Sequence, residues 1–437
     1  MLALLLVISY VACGSEDAVG PSESDAVAID LLDRSEGIRL NDEWDRVQNQ
    51  YAQHVATLRD SPTDAAAHLG IARLFIYEAR VTGEHGHYYP GALTHVQAAL
   101  NSPSLTPDEK FQALTIKSSV QLSQHDFAEA LATAQMAERL NPRAATVYGA
   151  LTDANVELGN YEAAVAAGDR MVQIKPDLRS YARISYLRQI HGDVPGSLEA
   201  MRLALDAGTK GTEDVAWVRT TLADLLAEYG RRDEARDQYN LVLEERPGYV
   251  FAKAGLAELA VADGNYEEAE RLLQSGIEDV PEVGLYQALI PIYQATKRDA
   301  LAAQTRDEVL AMYADDEVHG HNMDLEYVGY YLGPDLDLDK AYTYAQREYE
   351  KRPKNIDVNA KLAEIEVLRG NLEQAAAHLE VASSTNTQSP RLQHVRAALA
   401  AAQGNRAEAQ KIYRGTRDRY GKPDGALGAY LSSELTL

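Results

Sequence analysis

Cysteine is almost missing from this chain, which has a single residue of that type, Cys13, among 437. An internal disulfide and a cysteine-based metal site are therefore excluded, and so is thiol catalysis away from the amino terminus. The sequence also lacks a glycine-rich phosphate loop, a zinc-protease helix motif and a nucleophile elbow. We therefore expect a protein that is not an enzyme and that has no cofactor.

Basic residues are scarce. Lys and Arg together number 42 against 66 Asp and Glu, which gives a formal net charge of −24. Proteins that bind nucleic acid neutralise phosphates with basic side chains, so we expect no nucleic-acid partner. A polybasic membrane patch is excluded in the same way. The acidic residues are spread along the chain, which suits either a solubilising surface or a partner protein with Lys and Arg side chains.

Long apolar runs are also absent, except at residues 1–12. That run is too short to span a bilayer and ends in small residues, so it predicts a signal peptide. The following Tyr10-Val11-Ala12-Cys13 resembles the lipoprotein box of bacteria. The resemblance implies a lipid on Cys13 and a place in the bacterial cell envelope, on the outer face of the cytoplasmic membrane or on the outer membrane. An ordinary secretion signal and an unprocessed cytosolic adaptor are the alternatives. We expect residues 13–42 to form a flexible tether and a short adaptor helix.

Alanine, glycine and proline recur at fixed distances from residue 111 onward. Small residues let two helices touch, glycine suits the left-handed end of a helix, and proline stops the next one. Pro142 and Pro176 are 34 residues apart, as are Gly370 and Gly404. The alanines of the predicted helix crossings are Ala130, Ala164, Ala235, Ala269, Ala302, Ala341, Ala375 and Ala409. The pattern predicts pairs of helices, A and B, joined by a tight turn.

This 34-residue helix–turn–helix unit resembles the tetratricopeptide repeat, from residue 43 to residue 423. The segment 180–186 with His191-Gly192-Asp193 resembles, more narrowly, a bacterial subfamily of exported or cytosolic repeat proteins of undefined role, and with the Cys13 box the whole chain resembles bacterial exported repeat lipoproteins. The resemblance implies an all-α, right-handed superhelical solenoid of about ten helix pairs that binds other proteins. We expect one array at 43–313, an irregular hinge at 314–325, a second array at 326–423 and a tail at 424–437.

Two rows of A-helix positions are predicted to line the concave face of such a solenoid. They combine acidic side chains with aromatic anchors, which suits a partner segment with Lys or Arg between apolar side chains. The residues predicted to bind the partner are Asp153, Arg179, Tyr186, Trp217, Asp224, Phe251, Glu258, Tyr330 and Glu364. A second interpretation of Trp217 and Phe251 is that they pack between adjacent repeats.

Two His-Gly-His triplets fall in the clearest predicted loop insertions, and both follow acidic residues. Histidine with a carboxylate suits Zn²⁺ and similar ions, so a metal-binding or small-ligand-binding envelope protein is an alternative function. The candidate ligands are His85, His87, His319 and His321. The other interpretation is that these triplets are plain surface loops.

Overall fold

The computed structural model describes residues 29–333, 336–423 and 425–435, and these residues are almost entirely helical. A short 3-10 helix at Glu36–Ile38 precedes 22 α-helices. The first eleven are α1 (Asn41–Asp60), α2 (Ala65–Thr82), α3 (His85–Leu100), α4 (Pro107–Ser123), α5 (Phe127–Leu140), α6 (Ala145–Glu157), α7 (Tyr161–Ile174), α8 (Leu178–Ile190), α9 (Val194–Asp206), α10 (Glu213–Glu228) and α11 (Arg232–Glu245). The others are α12 (Val250–Ala262), α13 (Tyr266–Asp279), α14 (Val283–Ala295), α15 (Asp299–Val318), α16 (Asp324–Tyr331), α17 (Leu338–Lys351), α18 (Ile356–Arg369), α19 (Leu372–Ala382), α20 (Pro390–Ala402), α21 (Arg406–Tyr420) and α22 (Gly425–Leu435).

The helices form ten A/B pairs, from α2–α3 to α20–α21, with α1 before them and α22 after them. The fold is therefore the predicted all-α helical repeat solenoid. The predicted crossing alanines are buried, with an exposed fraction of 0% for seven of them and 1% for Ala302. A larger side chain there would push the two helices of a pair apart. Gly159 ends an A helix in the left-handed conformation, with φ of 75°, which L side chains adopt only at a cost.

The two ends of the solenoid are covered. Residues 29–40 run along α1, α2 and α3, where the Tyr51 hydroxyl donates to the Ile29 carbonyl at 2.9 Å and the Leu32 amide donates to the Tyr88 hydroxyl at 3.1 Å. At the other end, α22 buries Leu427 and Leu431 completely against the last helix pairs. The predicted tail is thus a docked helix over residues 425–435.

The second turn of the superhelix rests on the first. The Asn322 amide donates to the Gln124 carbonyl at 3.1 Å, and the Ile356 amide donates to the Tyr161 hydroxyl at 2.7 Å. In each case a connector between the two helices of a first-turn pair meets a connector between two pairs of the second turn. The Gly83 and Gly192 turns make the same kind of contact, with Val280 and Asn386, and the Gly230 turn contacts Arg419 near the end of α21. We call this line of contacts the seam. It closes the solenoid after about six helix pairs.

The irregular segment predicted at residues 314–325 has little irregular backbone. Residues 314–318 complete α15, and α16 starts at Asp324, so residues 319–323 alone connect the two helices. This connector is part of the seam, because Gln124 donates a hydrogen bond to the His319 carbonyl at 3.2 Å. The other His-bearing segment, which was also predicted to be a loop, is helical instead. The helix α3 begins at His85 and includes both histidines of that triplet, and Pro90 lies inside it.

Candidate functional site: the concave face

Carboxylates from both turns gather on the inner side of the seam. Glu157 at the end of α6 and Asp357 at the start of α18 line one cavity, and both affect the electrostatic environment of Tyr186 on α8. Withdrawal from water and the neighbouring Asp357 raise the pKa of Glu228 to about 7. Asp224 is accessible to solvent, but the surrounding concave wall reduces its hydration and raises its pKa to about 6, although the Tyr239 hydroxyl donates to it at 2.6 Å. The concave face is therefore acidic and short of positive charge.

One predicted acidic position is neutralised within the array. The Arg183 guanidinium on α8 donates to both oxygens of Asp153 on α6, at 2.9 and 2.6 Å. Such a two-point contact is the strong form of an arginine–carboxylate pair. It ties one A helix to the next and leaves Asp153 with little capacity for a partner. Asp224 and Glu258 remain exposed on the same row.

Three large aromatic side chains are exposed on the predicted rows. The exposed fractions are 48% for Trp217, 42% for Phe251 and 39% for Tyr186, whereas the other tryptophan, Trp44, is only 4% exposed. Trp217 and Phe251 stand 34 residues apart, at equivalent positions of the consecutive A helices α10 and α12. About half of each of these two side chains is open to solvent, and the rest packs against the array, where Phe251 lies edge-on to Tyr249. Arg179, in the same row, is exposed and pairs with Asp214 at 3.2 Å.

Two predicted contact residues do not reach the concave surface. Tyr330 is 8% exposed and packs edge-on against Tyr313 and Tyr331 in the core of the second turn. Glu364 is 1% exposed and is held by Arg391 of α20 at 2.8 Å. The sequence-based prediction treated the concave face as open along the whole length of the solenoid. In the second turn a tyrosine-rich core and an arginine of the following A helix cover these two positions.

The two His-Gly-His segments, which are more than 230 residues apart in sequence, meet at the seam. The rings of His85 and His321 have centroids 6.0 Å apart, and Tyr89 stacks on His85. Burial and the neighbouring His321 lower the pKa of His85 to about 4. His87 faces away, with its Nε2 at 2.8 Å from the Asp30 carbonyl, and His319 pairs with Asp315. Across residues 29–333, 336–423 and 425–435, no group of three or more His, Cys, Asp or Glu side chains could hold a metal ion.

Two buried arginines that the sequence analysis missed connect distant parts of the superhelix. Arg352 is 4% exposed, and its guanidinium binds Glu348 of its own helix and Glu157 of the first turn. Arg246 is 5% exposed and pairs with Glu43 at 2.8 Å. Each stands directly before the proline that ends its B helix, and no other closing proline of the array follows an arginine. The Arg-Pro dipeptide is therefore the sequence feature that could have identified these two arginines.

Neighbouring charges extend the contact at Glu43 into a network. Glu43 also accepts from Arg34 at 2.6 Å, and Arg34 forms a second, two-point contact with Glu78. Arg34 and Glu78 have fully buried side chains. Although burial acts against ionisation, the two arginines hold the pKa of Glu43 at about 2. The segment at residues 29–40 is thereby fixed to α1 and α2 and, through Glu43, to the end of α11.

Comparison with known proteins agrees with this architecture. Models described as tetratricopeptide repeat match residues 117–179, 226–290, 337–399 and 390–414. The curated anaphase-promoting complex subunit 7 of Arabidopsis thaliana is 27% identical over 191 residues, which are 44% of this chain and 33% of that protein. The match therefore spans about a third of that relative's length.

Several solved structures are also similar. PilF of Pseudomonas aeruginosa is 12% identical, with a TM-score of 0.39, over 48% of this chain and 94% of that one. A tetratricopeptide repeat protein of Parabacteroides merdae is 18% identical, with a TM-score of 0.40, over 57% and 95%. Human IFIT1, solved as a dimer with PPP-AAAA, is 15% identical, with a TM-score of 0.44, over 91% and 93%.

The helix pairs, their crossing alanines and their turn glycines define a helical repeat solenoid. The chain is a tetratricopeptide repeat protein. Proteins of this family are generally non-enzymatic scaffolds that bind other proteins. The described part of the chain contains no helix long and apolar enough to cross a membrane. Cys13, the predicted lipidation site, lies outside the described residues.

Proposed function

We propose that this protein is a membrane-tethered scaffold whose concave face binds protein segments that carry Lys or Arg between apolar side chains. The observation that carries the proposal is the exposure of Trp217, Phe251 and Tyr186 on the inner rows. Large exposed aromatic residues at equivalent repeat positions are typical anchors of a binding surface. Asp224 and Glu258 accompany them and supply the negative charge.

The seam favours an extended segment over a folded domain as the partner. The two turns are in contact from Gly83 to Gly230, so a partner reaches the concave face along the axis of the superhelix. An extended segment places side chains alternately to both sides, which suits separate aromatic and acidic contacts. A folded domain would first have to separate the two turns.

Recovery of partners tests this binding mode. Affinity capture after crosslinking in the native host is compared between the wild type, Asp224→Lys/Glu258→Lys and Asp237→Lys/Glu267→Lys. The control pair makes the same change in net charge at exposed positions of the B helices α11 and α13. We expect the first double variant to lose the partners and the control to keep them. Unchanged recovery with the first double variant would refute the acidic concave face as the binding surface.

The membrane tether is tested separately. Mass spectrometry of the mature amino terminus, together with fractionation of the host cells, is expected to find a lipid-modified Cys13 in the membrane fraction. Cys13→Ser is expected to release the protein into the soluble fraction. An intact Met1 on the mature protein would contradict the tether and leave a soluble adaptor with the same binding surface.

A further inference from the structure

A cavity of about 370 Å³ lies at the seam, between the A helices of the first turn and the second turn. Its apolar wall consists of Leu122, Phe127 and Leu325, and its polar wall is mostly acidic. The volume is within the range of ligand sites, and the walls come from segments about 195 residues apart in sequence. The site therefore exists only when the two turns are docked.

Most charges around the cavity are already balanced. Asp153 is bound by Arg183, and Glu348 and Glu157 are bound by Arg352. The Arg352 guanidinium also lies 4.7 Å from the centre of the Phe127 ring, so it already contacts two carboxylates and one aromatic ring. These contacts hold the cavity walls in place, since Arg352 and Glu348 are buried, with exposed fractions of 4% and 1%.

Two carboxylates of the cavity are not balanced in this way. The Oε2 atom of Glu326 is buried and has no hydrogen-bond partner among the described residues, and its Oε1 lies 4.0 Å from His125. Asp357 is exposed, lines the cavity and lies near the positive charges of Arg352 and Lys361. Burial raises the pKa of the Glu326 carboxyl group. The Glu326 side chain as a whole is 31% exposed, so the accessible part of this carboxylate and the Asp357 carboxylate give the cavity a negative charge that favours a cationic ligand.

We propose that this cavity binds the guanidinium group of an arginine side chain, with Glu326 and Asp357 as its acceptors. The inference rests on the proposed function, because it supplies the arginine from a segment on the concave face. A guanidinium offers five N–H donors in a planar fork, enough for two separate carboxylates. The aliphatic part of the side chain fits the apolar wall, since arginine buries its methylene stem along such surfaces.

Isothermal titration calorimetry with two matched peptides tests the proposal on the full chain. The probes are acetyl-Ala-Leu-Arg-Leu-Ala-amide and the same peptide with citrulline, which keeps the shape of arginine but has no charge. We expect the citrulline peptide to bind at least about tenfold more weakly, which corresponds to about 1.4 kcal/mol. Equal affinity for the two peptides overturns the proposal, and this comparison needs no variant that could fail to fold.

Three variants then locate the site. Glu326→Gln and Asp357→Asn are each expected to weaken the arginine peptide at least about tenfold and to leave the citrulline peptide unchanged. Glu162→Gln removes one exposed carboxylate of α7 and is expected to change neither affinity. Arginine affinity that is unchanged in both cavity variants overturns the assignment of the acceptors.

The failure of this proposal is distinguishable from the failure of the proposed function. If Asp224→Lys/Glu258→Lys abolishes partner recovery while the cavity variants bind the arginine peptide normally, the scaffold function stands and the cavity assignment falls. If that double variant still recovers the partners while the cavity variants no longer bind the arginine peptide, the cavity assignment is supported. The proposal that the wider concave surface binds the partners is then refuted.

Discussion

Replacing Arg352 by Met should loosen the contact between the two turns. Methionine keeps part of the aliphatic stem beside Phe127 but removes the cation that binds Glu348 and Glu157. Removal of one partner of a buried ion pair costs about 3 to 5 kcal/mol. Lys351 still binds Glu348 at 3.0 Å after the change, so we expect the lower end, about 3 kcal/mol.

Hydrogen exchange at the Ile356 amide measures this loss directly. That amide donates to the Tyr161 hydroxyl of the first turn at 2.7 Å, so its opening reports separation at the seam. A local free energy is the proper quantity, because repeat arrays need not unfold in a single step. The control is Arg271→Met, which removes an exposed pair with Glu268 and should change stability by less than about 1 kcal/mol.

The reasoning fails if Arg352→Met changes the opening free energy at Ile356 no more than Arg271→Met does. That result would mean that the contacts of Arg352 contribute nothing to docking of the turns. Combining Glu157→Gln with Arg352→Met refines the test. If the two side chains stabilise the seam by binding each other, the effect of the double variant is smaller than the sum of the single effects.

Three further changes test other parts of the account. A Cβ on Gly159 would lie 2.5 Å from a carbonyl carbon of the second turn, whereas Gly264, also left-handed, has open space. Thermal melting should therefore show that Gly159→Ala is clearly more destabilising than Gly264→Ala, which costs about 1 to 2 kcal/mol. Ala164→Leu should cost about 1 to 3 kcal/mol in urea unfolding by overpacking a helix crossing, and Ala163→Leu on the exposed side of the same helix should cost little. The pKa of Glu43 is lowered to about 2, so its stabilisation is complete above about pH 4.5 and is lost as the pH falls toward 2. The free energy of unfolding, measured as a function of pH, should therefore fall by about 3 kcal/mol over this acidic range because of Glu43. The Glu43→Gln variant should lack this part of the pH dependence.

The repeat architecture was predictable because each helix pair obeys a local steric rule. Ala164 and its equivalents lie where two backbones touch, so their small size appears in the sequence at a regular interval. The same repeat register predicted that Trp217 and Phe251 occupy equivalent positions in two A helices of the first turn. Their exposure could be expected because the repeat fixes which face of an A helix points inward.

The seam could not be predicted in this way. Its position depends on the sum of small rotations over about six helix pairs, and no local pattern records that sum. Hence Arg352 and Glu157, which are 195 residues apart, gave no signal as partners, although Arg352-Pro353 marked an unusual helix end. The burial of Glu364 was missed for a related reason, since its partner Arg391 belongs to the next A helix.

The measurement that tests the central claim most directly is the distance between the two turns in solution. With Cys13 replaced by Ser, spin labels at Asn160 and Lys354, both exposed beside the seam, report this distance by electron double resonance. A docked seam predicts a narrow distribution below about 20 Å, roughly two helix diameters. A broad distribution centred well beyond that value would contradict the closed superhelix, and with it both the cavity and the axial route to the concave face.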